Sequence, residues 1–139
     1  MADKRYALLK HAHDDTEVVI TTKTITKTEP RQVTYFLTLA GGFTTTLPAP
    51  RAGSRYKFIV AVAPTTAYII VTEGGSNILY GTINEITATA GVTIAAQDTL
   101  NFVANTSLIG DWAVFESDGT NWYVHGAGQV DNGITVAVT

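Results

Sequence analysis

The chain of 139 residues contains no cysteine. Disulfide bonds and zinc sites built on thiolates are therefore excluded, and thiol chemistry gives no information about the cell compartment. Stability must come from an apolar core instead. A chain of this length suits one domain and buries roughly two-thirds of its unfolded surface, so it needs no covalent cross-link.

Long hydrophobic runs are also missing. The apolar run FIVAVA, at residues 58–63, is far shorter than the roughly 20 residues that cross a bilayer as a helix. The first fifteen residues lack the apolar core of a signal peptide. We therefore expect a soluble protein that is made in a cytoplasm and has no membrane partner.

Charged residues are scarce, and those of positive sign stop early. They make up 15% of the chain against 45% for hydrophobic residues, which is little charge for a free monomer and favours an oligomer. All nine lysines and arginines lie in residues 1–57, which also hold five acids and carry a net charge of +4. Residues 58–139 hold seven acids and carry −7. The split suggests an N-terminal part that docks on an acidic surface, such as the C-terminal part of a neighbouring copy; the alternative is a distribution without functional meaning.

From residue 33 onward the sequence consists of short β-favouring runs separated by turn residues. Valine and threonine are abundant, the runs recur roughly every ten residues, and no long stretch has helical periodicity. This pattern predicts an all-β fold, an antiparallel β-sandwich that is jelly-roll-like, over residues 33–139. Residues 1–32 combine a short helical start with a lysine-studded threonine run, and we interpret them as an extended N-terminal arm that docks or links subunits.

The stretch FESDGTNWYV, residues 115–124, predicts a β-hairpin with Asp118 and Gly119 in its turn. Alternate side chains of a strand point to opposite faces, and both faces of this hairpin carry aromatic or aliphatic residues. One face would fill the core, and the other must meet a second sheet, the N-terminal segment or another chain. We predict a subunit interface with four aromatic members: Trp112, Phe115, Trp122 and Tyr123.

Candidates for chemistry are few. His11 and His13 would point the same way on a strand, and three copies around a three-fold axis would offer six imidazoles to a metal ion. A solvated pair is the commoner situation, so we predict no metal and no cofactor. Asp111, Glu116 and Asp118 lie near the hairpin, but they have no neighbouring base in the sequence, and no GxSxG motif is present. We therefore predict that the chain is not an enzyme.

Two kinds of ligand give opposite expectations. Acids dilute the basic residues and the isoelectric point is about 5.5, which argues against nucleic acid. Carbohydrate binding stays open, because Trp112, Trp122 or Tyr123 would stack on a sugar ring if the side chain were exposed.

Two segments together resemble a known group of proteins. LTLAGGFTTTLPAPRAGSRYKFIV, residues 37–60, and GDWAVFESDGTNWYVHGAGQV, residues 110–130, are similar to the β-rich structural proteins of tailed-phage virions. The similarity is greatest to head decoration (cement) proteins and extends to the terminal domains of tail fibres. It covers roughly residues 37–130 and consists of turns and aromatic residues, without catalytic residues.

The resemblance implies a virion structural protein. As a capsid decoration protein it would bind the exterior of a phage head as a homo-oligomer, expected to be a trimer, and stabilise the shell against internal DNA pressure. Its partners would be the major capsid protein and itself. The alternative is a tail-fibre domain that binds a receptor or glycan, and a hydrolase fragment is a third possibility. In the decoration hypothesis the arm docks on the capsid through seven residues: Lys4, Arg5, Tyr6, Leu8, Leu9, Lys23 and Lys27.

Overall fold

A computed structural model of the chain describes residues 15–139, and these residues form twelve β-strands and one short 3-10 turn, Glu73–Gly75. The strands are β1 Asp15–Val19, β2 Lys23–Thr24, β3 Gln32–Leu37, β4 Phe43–Thr46, β5 Arg55–Val60, β6 Tyr68–Val71, β7 Leu79–Glu85, β8 Val92–Gln97, β9 Thr99–Phe102, β10 Trp112–Ser117, β11 Trp122–Gly128 and β12 Ile134–Ala137. The prediction of an all-β fold is confirmed.

The strands form two mixed sheets. The larger sheet has seven strands in the order β1-β3-β5-β10-β11-β7-β8, and the smaller has five in the order β12-β9-β6-β4-β2. The neighbours β1–β3, β3–β5, β2–β4, β4–β6 and β7–β11 are parallel. The prediction of antiparallel pairing is therefore wrong for these five pairs, and the connections differ from those of a jelly roll, whose strands are antiparallel.

Four of the five parallel pairs, all except β7–β11, follow from the way the chain alternates between the sheets. Strands β1 to β6 lie in turn in the larger and the smaller sheet, so each return to a sheet comes after one crossing in each direction. A strand that returns after two crossings runs in its original direction, and the intervening strand supplies the crossover that a parallel pair requires. The short spacing between strands had suggested hairpins. Between β1 and β6 it instead reflects short connections from one sheet to the other.

The core is formed by the inward side chains of both sheets. Strands of the larger sheet alternate buried and partly exposed residues, as in β3 and β5. Tyr35 stacks on Phe58 with ring centroids 5.1 Å apart, and Phe58 meets Phe115 edge-to-face at 5.5 Å. Tyr56 and Trp122 pack at 5.6 Å. These five completely or nearly completely buried rings join β3, β5, β10 and β11.

The described part of the predicted arm belongs to the sheets. Strand β1 pairs with β3, and β2 pairs with β4. Val19 and Ile25 are buried in the core because they are the apolar inward residues of this segment. The boundary proposed at residue 32 is therefore not a boundary of the sheets. The helical start, together with His11 and His13, lies outside the described residues.

The predicted hairpin is confirmed as β10 and β11. Ser117 pairs with Trp122, which leaves a four-residue loop, 118–121. One carboxylate oxygen of Asp118 accepts hydrogen bonds from the backbone N–H groups of Thr120 and Asn121, both at 2.8 Å. Gly119 has a φ of +100°, which an L side chain rarely adopts, so glycine is required there.

Replacing Trp122 with alanine tests the core assignment. The ring is completely buried, and its loss leaves a cavity, so we expect Trp122→Ala to lower the free energy of unfolding by about 3 to 5 kcal/mol in chemical denaturation. The matched control is Tyr123→Ala, the next residue on the same strand but on the outer face, for which about 1 kcal/mol or less is expected. Equal losses for both variants would contradict the assignment.

Candidate interaction surface

The outer face of the seven-stranded sheet has an apolar row beside Lys57 and the Arg55–Glu116 ion pair. One cross-strand row joins Phe36 of β3, Ile59 of β5, Trp112 of β10 and Ala127 of β11. All four side chains are partly exposed. They point away from the core because their neighbours along each strand point into it.

Trp112 is at the centre of a small cluster on this face. The ammonium nitrogen of Lys57 lies 4.9 Å from the centroid of the indole ring, and the ring of His125 meets it edge-on at 5.9 Å. Between them lies Val114, which is buried although it faces outward, because the surrounding side chains cover it. The lysine stem and the cation–π contact hold the indole in a fixed, half-exposed position.

Two tyrosines extend the surface toward the hairpin turn. Tyr123 of β11 and Tyr80 of β7 are cross-strand partners and are 46% and 36% exposed. The Tyr123 hydroxyl donates a hydrogen bond to Asp118 at 3.0 Å. The backbone hydrogen bonds of Asn121 and Thr120 hold the pKa of the Asp118 carboxyl below its usual range, so the acceptor stays ionised near neutral pH. The exposed ring of Tyr123 is therefore oriented in advance.

The four residues of the predicted subunit interface lie on opposite faces of the larger sheet, two on each face. Phe115 and Trp122 point inward and are completely buried in the core of their own chain, so they are not available to a neighbouring subunit. This corrects the prediction for those two residues; the reason is that they occupy the opposite parity on their strands from Trp112 and Tyr123. Trp112 and Tyr123 lie on the outer face, and their role in an interface stays a prediction.

The predicted docking lysines differ in how they are placed. The ammonium group of Lys23 lies 2.8 Å from the carboxylate of Glu29 and 3.1 Å from that of Glu17. Burial alone would lower the pKa of Lys23, but the two carboxylates outweigh it and raise the pKa. Its charge is thus compensated within the chain. Lys27 is exposed, and the other five predicted docking residues lie outside the described part of the chain: Lys4, Arg5, Tyr6, Leu8 and Leu9.

An acidic cleft of about 250 Å³ lies beside β1. Its lining includes the carboxylates of Asp15, Glu17 and Glu29 and the side chain of Tyr35. Burial, with added repulsion from Glu29 and Glu17, raises the pKa of the Tyr35 hydroxyl far above its usual value, so it stays protonated. Among residues 15–139 no group of three or more histidine or acidic side chains has the geometry of a metal site.

Two buried carboxylates, Asp111 and Glu85, have structural roles. Asp111 accepts hydrogen bonds from the Ser107 hydroxyl at 2.9 Å, from the backbone N–H of Leu108 at 2.8 Å, and from Gln129. Glu85 accepts from the backbone N–H groups of residues 132 and 134 at 2.9 and 2.8 Å. These bonds fix loops to strand ends, and their donors are backbone and hydroxyl or amide groups rather than bases.

Sequence reasoning missed one set of exposed residues, the large aliphatic side chains on loops. They are Ile20, Leu39, Ile86, Leu108 and Ile109, each between 40% and 78% exposed. The signal was present, because the loops that carry them contain hardly any charged residue. The low charge of these loops can be interpreted only when the strand directions show which loops lie at the same end of the sheets.

Comparisons of the whole chain with protein-family models and with curated proteins find no match. A bilayer-spanning helix is not found in residues 15–139, since none there is both long and apolar enough.

The buried carboxyl of Asp98 generates a test of how the C-terminal strand is held. Burial alone would raise the pKa of Asp98. The hydrogen bonds from Thr99 and Thr139 have the opposite and larger effect, so the pKa is below the ordinary value. A lowered folded-state pKa stabilises the fold above the unfolded pKa of about 3.9, and this contribution is lost as the pH falls through the folded pKa.

We therefore expect Asp98→Asn to lower the thermal unfolding midpoint at neutral pH. The difference from the intact protein should shrink as the pH falls below about 3.9 and through the folded-state pKa of Asp98. Asp131→Asn, at an exposed loop position, is the control and should change the midpoint little. If the difference in unfolding midpoint between Asp98→Asn and the intact protein were constant with pH, the carboxylate charge would not be what holds the C-terminal strand.

Proposed function

We propose that the chain is a virion structural protein that decorates the exterior of a tailed-phage head as a homo-oligomer, a trimer, and stabilises the shell. The observation that carries this proposal is the outer face of the β10–β11 hairpin. Trp112 and Tyr123 are held in place there by Lys57, His125 and Asp118, yet they remain partly exposed. Ordered aromatic residues on an open sheet face, with Lys57 and the Arg55–Glu116 ion pair beside them, are typical of a surface that contacts protein.

The oligomer follows from this face together with the composition. With 15% charged residues in the chain, the exposed apolar row and the aromatic rings of this sheet face favour a partner over water. A neighbouring copy that covers Trp112 and Tyr123 removes this cost. Around a symmetry axis each copy repeats the contact, and the ring then binds the shell at several points at once.

The remaining elements of the proposal concern architecture and partners. The two sheets with their common core form a two-layer β-sandwich, supported by the inward rings of both sheets. The N-terminal arm, residues 1–32, contributes docking or subunit linkage, with its strands β1 and β2 laid along the sheet edges. The major capsid protein is the partner, and the virion exterior is the location. No catalytic activity or cofactor is part of the proposal.

The second candidate is a tail-fibre domain that binds a receptor or glycan. The adjacent exposed rings of Tyr123 and Tyr80 favour it, because two neighbouring aromatic faces can stack on a sugar. The same rings would be covered in the decoration hypothesis, so the two candidates require opposite states of one surface.

Locating the protein in purified virions distinguishes the candidates. Electron microscopy with a label on the chain should show many symmetry-related copies on the outer surface of the shell, and shells that lack the protein should break at lower osmotic stress. A few copies confined to the tail, together with sugar binding that Tyr123→Ala abolishes, would instead establish the fibre domain.

A further inference from the structure

The two ends of the sheets differ sharply in charge. Strands β1, β3, β5, β7 and β11 run in the same direction and finish at one end, where β8 and β10 begin. In the smaller sheet, β2, β4, β6 and β12 begin at this end and β9 finishes there. Six loops therefore meet at one end, which we name the uncharged end: 20–22, 38–42, 61–67, 86–91, 103–111 and 129–133.

The uncharged end carries exposed aliphatic side chains among exposed threonine, asparagine and glutamine residues. Its 35 loop positions are all within the described residues and hold only two ionisable side chains, Asp111, which is buried, and Asp131. Five of the nine large hydrophobic side chains that are exposed in residues 15–139 belong to these loops: Ile20, Leu39, Ile86, Leu108 and Ile109. They extend from the β1 edge to β7, five neighbouring strand positions away, which is about 25 Å.

The loops of this end are fixed to one another by backbone hydrogen bonds. The N–H of Gly110 donates to Val60 at 2.8 Å, and that of Thr65 donates to Ala40 at 2.7 Å. The side-chain amide of Gln129 donates to the carbonyl of Ile109 at 2.8 Å. Together with the buried carboxylate of Asp111 beneath them, these bonds keep the aliphatic side chains on a preorganised surface, so little entropy is lost when it is covered.

The opposite end of the sheets is charged. Its loops are 25–31, 47–54, 72–78, 98 and 118–121, and they contain Lys27, Glu29, Arg31, Arg51, Glu73, the buried Asp98 and Asp118. Several of these groups bond to loop backbone, as when Arg51 donates to the carbonyl of Lys27. Ionised side chains of both signs keep this end hydrated. The domain therefore has one end suited to water and one suited to burial.

We propose that the uncharged end is the surface by which the domain sits on the capsid, and that its counterpart on the shell is an uncharged, apolar protein surface. This rests on the proposed function. A charged counterpart would lose its hydration against this end without gaining a partner, so the chemistry selects an apolar one. In a cyclic oligomer built on the outer sheet face around an axis along the strands, all uncharged ends point the same way and form one base.

The salt dependence of capsid binding distinguishes binding through the uncharged end from binding through a basic arm. Contacts between apolar groups are not screened by salt, and excluded salts strengthen them. Contacts between lysines and an acidic shell weaken as salt is added. Binding through the uncharged end should therefore be constant or tighter as the salt concentration rises.

The test uses the intact protein and shells purified without it, with binding followed by co-sedimentation. Ile109→Asp and Ile86→Asp each place a carboxylate on the uncharged end, at exposed positions where folding is not at stake. We expect each to weaken binding at least about tenfold, because the added carboxylate loses its hydration in the contact without gaining a partner. The matched control, Asn77→Asp, adds the same charge at an exposed position of the opposite end and should bind as the intact protein does.

The other outcomes identify which claim fails. Intact protein that does not bind the shells overturns the proposed function. If the intact protein binds and both isoleucine variants bind equally well, the uncharged end is not the capsid-binding surface, and the proposed function stands. If binding weakens as salt is added, the basic arm is the capsid-binding surface instead. If the variants lose self-association in analytical ultracentrifugation but still bind shells, the occupant of this end is a second copy.

Discussion

The packing of five aromatic rings between the sheets is the interaction on which the rest of the structure depends. Tyr35, Phe58 and Phe115 form one run of ring contacts, and Tyr56 with Trp122 forms another, linked to the first by the contact between Tyr35 and Tyr56 at 6.1 Å. These rings join the parallel strands β3 and β5 to the hairpin. Burial of each ring contributes a large apolar area, and their tilted and edge contacts fix these four strands of the larger sheet relative to one another.

The same packing determines what the molecule shows to its surroundings. Because side chains alternate, placing Phe115 and Trp122 in the core forces Trp112 and Tyr123 outward. Because the chain crosses between sheets at both ends, its loops fall into two groups, and most of the charged loop residues lie in one of them. The molecule thus has a sheet face with an apolar row and an end with few charges, which meet at the start of β10.

The sequence predicted the features that depend on local chemistry. Alternation, turn residues and β-favouring composition were enough for the all-β fold and the β10–β11 hairpin. The predicted interface nevertheless combined Phe115 and Trp122 with Trp112 and Tyr123, although alternation along the strands assigns the two pairs to opposite faces. Strand direction could not be predicted, because it depends on which sheet each strand joins. The compensation of Lys23 by Glu17 and Glu29 was missed because it depends on how β1, β2 and the loop after β2 are placed in space. The presence of Ile20 and Ile109 at the same end of the sheets was missed because these residues are distant in sequence.

The central claim, that the hairpin packs inward on its own core and outward on a neighbouring copy, is tested most directly by the accessibility of its two tryptophans. Single-tryptophan variants, Trp112→Phe and Trp122→Phe, allow each ring to be followed separately by acrylamide quenching. The account predicts that Trp122 is protected in isolated subunits and on the shell alike, whereas Trp112 is quenched in isolated subunits and protected in the assembled oligomer. Equal quenching of Trp112 in both states would contradict it.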